Sequence, residues 1–277
     1  MPVTFDEGAH RYTSNSGEVY ISVTTLIKKF TPPFDSDYWS AYKALKAVLS
    51  KTGEWDSYKK KAGGWENVVV YARSIDKEFK YRKEVIEEKK RILSEWEQTK
   101  EIALVKGTEY HKMKEKRVKE NVVYGPDMKE ISVLSGVDLL SAQDFKADGL
   151  YPELILYNDD WRLAGQADWV MKNGNTVHIK DYKTSKEISE IAFQDQCLLP
   201  PLSHLPNCNY YTYSLQLSLY ALMLEEHGFT IGNLAIEHVN KETFDTIQMY
   251  PVKYMRKEAK DVIKHHLKNA KVLNRKA

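Results

Sequence analysis

The sequence predicts an α/β protein: a β-rich second half built around one apolar helix, preceded by a helical N-terminal region. Three observations lead there. Asn173-Gly174, a strong hairpin pair, separates two runs rich in strand-forming residues. Tyr213 to Glu226 is a strongly apolar run that ends near Gly228, as a buried helix does. From Asp37 to about Asn121 the composition is charged and helical, with Trp39, Tyr42, Leu45 and Leu49 at helical spacing.

In chain order, His10-Arg11-Tyr12-Thr13 and Glu18-Val19-Tyr20-Ile21 flank the turn-rich Ser14-Asn15-Ser16-Gly17 and read as a small β element. Ser22 suits the N-cap of a short helix, Val23 to Phe30, which Thr31-Pro32-Pro33 stops. Gly63-Gly64 interrupts the helical region. Val85, Ile86, Ile92, Leu93 and Trp96 follow among Lys and Glu, without a sustained heptad. A further helix is expected to open around Gly107. Residues 122 to 150 give no clear pattern. Strands are then expected at Glu153 to Tyr157, Trp161 to Met171 and Thr176 to Lys183, and after the apolar helix at Leu234 to Val239 and Thr246 to Val252. A basic helix or tail starts at Met255.

Bulk properties narrow the class. A chain of 277 residues fits one large domain, or one with a helical extension. No stretch approaches the roughly 20 apolar residues that cross a bilayer, and the N-terminus lacks a secretory pattern. With only Cys197 and Cys208, no disulfide framework is expected, and the expected compartment is the cytoplasm. The net charge of +2 excludes a coat or packaging protein, but basic residues cluster locally at Lys59 to Lys61, Lys89 to Arg91 and Lys112 to Lys119. Each cluster alone reads as a solvated helix face.

Register singles out the chemistry. If Asn173-Gly174 is a two-residue loop, Lys172 pairs with Asn175 and Asp168 lies opposite Ile179. Asp181 shares the face of Ile179, so Asp168 and Asp181 are diagonal neighbours, with Cβ atoms about 7 Å apart. Lys183 joins them by parity. Two carboxylates so placed repel unless a cation sits between them, and oxygen ligation suits Mg²⁺ or Mn²⁺. The competing reading, a surface ion-pair ladder, sits poorly among Ala167, Trp169, Val170 and Ile179.

Gly165-Gln166-Ala167-Asp168 followed by Asp181-Tyr182-Lys183-Thr184 resembles the core of the PD-(D/E)XK nuclease superfamily. Gly107-Thr108-Glu109-Tyr110-His111 resembles the Gly-x-x-x-His motif of its RecB-like branch, and Gln216-Leu217-Ser218-Leu219-Tyr220 that branch's Gln-x-x-x-Tyr motif. The likeness covers roughly residues 105 to 240. It implies a restriction-endonuclease-like core, a mixed central sheet flanked by helices, over 105–277, with 1–104 as an N-terminal β-hairpin and helical region. It implies Asp168, Asp181, His111 and the Tyr182 carbonyl as metal ligands, and Lys183 as catalytic lysine. Glu153 would assist the metal or a water; Gln216 and Tyr220 would line the site or touch the DNA backbone. His10, Tyr12 and Ser22-Val23-Thr24 are similar to the opening of phage-encoded exonucleases of this branch.

Ala167 stands where the family's proline would be. Four cluster-binding cysteines are absent, which argues against the iron–sulfur members, and no phosphate loop of a helicase motor occurs. The implied activity is a Mg²⁺- or Mn²⁺-dependent DNA exonuclease of recombination, repair or replication. A structure-specific endonuclease or junction resolvase, and a non-catalytic DNA-end-binding accessory protein, are the alternatives. The implied partners are DNA ends, single- or double-stranded, and a single-strand annealing or binding protein. Trp39, Trp55 and Trp65 could stack on bases, but helix packing is the better reading.

Overall fold

A computed structural model describes residues 3–77, 79–121, 123–124, 130–134, 145–239 and 247–274. They form two compact units, Met1–Pro32 with Lys106–Ala277, and Pro33–Val105. The expected 1–104 region is therefore not one piece. Its first 32 residues belong to the core unit because they extend the central sheet.

That extension is a meander of β1 (Val3–Asp6), β2 (Arg11–Ser14) and β3 (Val19–Ser22). β1 was not legible in the sequence. Tyr12 pairs with Tyr20 across the Gly17 turn, where φ is +82°. Ser22 then caps α1 (Val23–Lys28), its hydroxyl accepting from the Thr25 N–H at 3.1 Å.

The second unit holds α2 (Ser36–Lys51), α3 (Trp55–Lys61), α4 (Val68–Ser74) and the first part of α5 (Arg82–Glu120). Gly63 and Gly64, at φ +78° and +138°, make the break expected there. Leu45, Leu49, Tyr58, Val68 and Val69 form its core. Trp55 packs against that core, and Trp39 stacks with Trp65 at 6.4 Å, which agrees with the packing reading of these aromatics. Ile86 and Leu93 are exposed.

No new helix opens at Gly107. α5 runs straight through it, because strong helix formers on both sides absorb the ~1 kcal/mol that an interior glycine costs. β4 (Val123–Tyr124) and β5 (Glu130–Ile131) form a small separate ladder, and the rest of the ambiguous 122–150 segment lies partly outside the described residues.

The central sheet continues with β6 (Gly149–Asn158), β7 (Leu163–Asn173), β8 (Thr176–Lys183), β9 (Thr230–Val239) and β10 (Ile247–Val252). Its order is β1-β2-β3-β7-β8-β9-β10, with β6 also on β7. β3 meets β7 in parallel at Ile21↔Leu163, and β8 runs parallel to β9, whereas β6, β7 and β8 alternate antiparallel. This is the expected mixed sheet. The turn differs by one residue from expectation: Asn173 pairs with Thr176, so Gly174-Asn175 is the loop. Gly174 takes φ +56° at the first central position, as a II′ hairpin requires.

α6 (Asn209–Glu226) is buried without interruption from Ser214 to Leu224, an interior helix that is mostly apolar on every side but carries Ser214, Gln216 and Ser218. It packs with α1 and α7 (Arg256–Asn274) over one sheet face, against Val170, Ile179, Leu234 and Ile236. On the opposite face Tyr110 and Met113 of α5 pack on Trp169, Tyr182 and Val239.

Gly165 lets Tyr220 of α6 lie close against the sheet. A Cβ there would lie 2.6 Å from Tyr220 Cε1. Gly165→Ala should destabilise the protein by roughly 1–3 kcal/mol, as overpacking does, measured by urea unfolding. Unchanged stability would mean that Tyr220 can move aside freely.

Candidate active site

Two strand ladders stop at the same level. The β7–β8 ladder ends at Trp169↔Lys180, one step before Asp168 and Asp181. The β6–β7 ladder passes from Pro152↔Trp169 to Leu154↔Ala167, skipping Glu153 and Asp168. Glu153 sits there at φ +53°, a conformation that costs a non-glycine residue roughly 1–3 kcal/mol. Three acids on three strands therefore share one row across the sheet. Continued one step past its last pair, the β7–β8 register sets Asp168 opposite Asp181, not diagonal to it, because the turn is displaced by one residue. Their shared face survives that displacement. The one irregularity in β8 falls between Val177 and Ile179, in its pairing with β9, and leaves the acids untouched.

Where β7 and β8 part, side chain replaces main chain. Asp168 Oδ2 accepts the Tyr182 N–H at 2.6 Å, and its Oδ1 meets His111 Nδ1 at 3.3 Å. His111, Glu153 and Asp168 each bring one ligand atom to within 4.8 Å of the others. Asp181 belongs to a second group. Its Oδ1 accepts from Gln216 Nε2 at 3.0 Å, and its Oδ2 lies 2.5 Å from Lys183 Nζ. Gln216 Oε1 also takes the Lys183 ammonium at 3.3 Å, and Gln216 Nε2 reaches the Tyr220 hydroxyl at 3.3 Å. Lysine only donates and carboxylate only accepts, so the amide can sit only this way round. The Tyr213 ring lies 4.7 Å from Lys183 Nζ. Asp181 is 2 % exposed, and its Oδ2 has an ammonium beside it but no hydrogen bond.

The electrostatics follow from crowding. Burial opposes a charged His111, but the hydrogen bond and charge of Asp168 outweigh it and raise the imidazole to about 9. Burial, then the charge of Asp168, pushes Glu153 up to about 8. Burial pushes Asp181 up as well, with Lys183 opposing. Burial works against the Lys183 ammonium, yet Asp181 and Asp168 hold its pKa above the ordinary value. A pocket of three carboxylates that retains protons is short of positive charge. Its oxygen and imidazole donors suit a divalent cation.

Residues 70–271 match the family model of the PD-(D/E)XK nuclease superfamily, and the chain belongs to that superfamily. No curated protein matches it significantly. The superfamily comprises nucleases that use divalent metals.

All eight residues singled out in the sequence thus gather in one region. Glu153 stands closer to His111 and Asp168 than its expected auxiliary role suggested, and Asp181 instead partners Lys183 and Gln216. Tyr182 contributes its N–H here and turns its ring to the other sheet face. Of the basic run after His111, Lys114 is engaged at 2.6 Å by Glu237, while Lys112, Lys116, Arg117 and Lys119 are exposed. Two residues had been given no role at the site. Tyr12 is buried and feels the charges of Glu153 and Asp168, which together with burial raise its hydroxyl. Glu237 was signalled only as a lone acid within the apolar Leu234 to Val239.

The raised groups bind more protons folded than unfolded, so they make stability fall as pH rises. With EDTA present, the melting temperature should decline through the window set by Glu153 and His111, from about pH 5 to about pH 9, relative to a His111→Gln/Glu153→Gln variant. Parallel curves for the two proteins would contradict these shifts.

Proposed function

We propose that this protein is a DNA exonuclease of the RecB-like branch, dependent on Mg²⁺ or Mn²⁺, serving phage-type recombination, repair or replication. The observation that carries the reading is the convergence of His111, Glu153 and Asp168 beside the buried Asp181–Lys183 pair. The branch assignment is supported by His111 reaching this cluster from α5, and by Gln216 and Tyr220 reaching it from α6.

Asp168, His111 and Glu153 would hold the cation, with Asp181 Oδ2 and the Tyr182 carbonyl as further donors. A bound divalent ion lowers the pKa of water and offsets charge on the scissile phosphate. Lys183 is kept charged by Asp181 and aimed by Gln216 and Tyr213. Its ammonium stabilises the negative charge that develops as the phosphodiester is attacked. Asp181 holds Lys183 in place, and Tyr220 fixes Gln216 from the next helical turn. The exposed Lys112, Lys116, Arg117 and Lys119 lie just after His111 and suit contacts to the phosphate backbone, which are not base-specific.

Lys183→Ala and Asp181→Asn should each slow cleavage of end-labelled DNA by at least about 10²-fold while DNA binding persists. EDTA should stop the reaction and Mn²⁺ restore it. Wild-type rates in either variant would sink the assignment. Linear DNA should be degraded and closed circular DNA spared; cutting of the circle would favour the endonuclease alternative.

Metal uptake should also displace protons, because His111 and Glu153 bind a cation only when deprotonated. Calorimetry near pH 7, in buffers of different ionisation enthalpy, should report about two protons released per Mn²⁺, and fewer towards pH 9. Proton-neutral binding would exclude these two residues as ligands.

A further inference from the structure

Glu237 is 3 % exposed, on the sheet face away from the three acids. Its Oε1 accepts from Lys114 Nζ at 2.6 Å and from the Tyr110 hydroxyl at 3.1 Å. Its Oε2 accepts from Lys180 Nζ at 2.6 Å. Tyr110 and Lys114 are one turn apart on α5, and His111 follows Tyr110. Lys180 precedes Asp181 on β8, and Glu237 itself pairs with Tyr182 in the parallel ladder. The Tyr182 ring fills the middle: Tyr110 and His111 lie edge-on to it at 6.1 and 5.8 Å, with the Lys114 and Lys180 ammoniums at 5.1 and 5.4 Å.

We propose that Glu237 is a positioning residue that clamps α5 to β8 and so sets where His111 meets Asp168. The inference rests on reading His111, Glu153 and Asp168 as a cation site. Burial pushes the Glu237 carboxyl up, but Lys180 and Lys114 outweigh it and hold it ionised. Stability alone is a poor reason for such a group, since a buried ion triad is often replaced by apolar residues without loss. Apolar residues, however, can slide and rotate past each other. A carboxylate that takes two donors from a helix on one oxygen and one from a strand on the other fixes both the helix's rotation and its height. His111 is the residue whose placement that decides, because it follows Tyr110 on the helix and lies edge-on to the same Tyr182 ring. Partners behind a ligand typically change metal affinity by 10- to 100-fold when lost.

Lys114→Met removes the charged one of the helix's two donors, leaving Tyr110 in place and the Glu237–Lys180 pair neutral; Lys114→Arg keeps both donors. In the full chain, Lys114→Met should weaken Mn²⁺ binding, measured by calorimetry without DNA, about tenfold, and Lys114→Arg should restore most of it. Cleavage at saturating Mn²⁺ should stay near wild type, so the loss appears in metal affinity and not in the maximal rate. Amide exchange over residues 107–112 should quicken in Lys114→Met but not in Lys114→Arg. Wild-type affinity and exchange in Lys114→Met would overturn the clamp. Should that variant fail to fold, exchange of the wild-type chain decides: Mn²⁺ should slow exchange in β9 around Glu237 as well as in the His111 turn, and protection confined to the acids would overturn it. If the wild-type chain binds no Mn²⁺, the cation-site reading fails, and exchange in Lys114→Met against Lys114→Arg still decides the clamp.

Discussion

The hydrogen bond from the Tyr182 N–H to Asp168 Oδ2 is the constraint on which the rest of the site depends. A strand that leaves its neighbour strands an N–H inside the protein, and such a group must find an acceptor. Here the acceptor is the carboxylate of the residue at which β7 turns away. The fork is thereby closed, and Asp168 is fixed with one oxygen committed and the other free to face His111. Glu153 shares this level because the β6 ladder also skips a step there, its left-handed backbone moving the side chain out of the regular alternation. Two breaks in strand pairing thus build one cluster, and neither would exist in a regular sheet.

β8 carries charge on both faces, which is costly for a strand inside a sheet. Asp181 and Lys183 point towards α6, and Lys180 points the other way. Each face answers with its own partner from a neighbouring element. α6 supplies Gln216, whose amide serves a carboxylate and an ammonium at once. β9 supplies Glu237, which holds Lys180 and Lys114. α5 and α6 are both tied to the same short strand by polar contacts, so the two helices that complete the site are registered against each other through β8.

What the sequence disclosed and what it hid follow from this construction. Asp168, Asp181 and Lys183 were found by parity, and parity is robust: displacing the turn by one residue moved Asp168 from opposite Ile179 to opposite Asp181 without changing its face. α6 and the late strands were legible because apolar runs of that length have few alternatives. The first 32 residues were assigned to the wrong unit because a four-residue strand announces its partner nowhere, and the parallel contact Ile21↔Leu163 spans most of the chain. Gly107 misled because a glycine after charged helix reads as punctuation, whereas the helix runs through it. Glu153 was visible as an acid in place, but its nearness to His111 depends on a backbone angle that pattern cannot express. Glu237 was hidden because its three partners come from two distant segments, α5 and β8.

Charge balance ties these features together. Near neutral pH the raised groups leave His111 protonated and Glu153 neutral, with His111 set against Asp168 and the Lys183 ammonium against Asp181. Two carboxylates then face two cations, and the pocket is neutral. Removing the protons from His111 and Glu153 leaves it two charges short, which is the charge of one divalent ion. The same two residues, with Asp168, form the tight cluster of ligand atoms. On the proposed reading, His111 and Glu153 give up two protons when the metal binds. Lys183 takes no part in that exchange. Its charge is matched by Asp181 in both states, so it remains available to the phosphate.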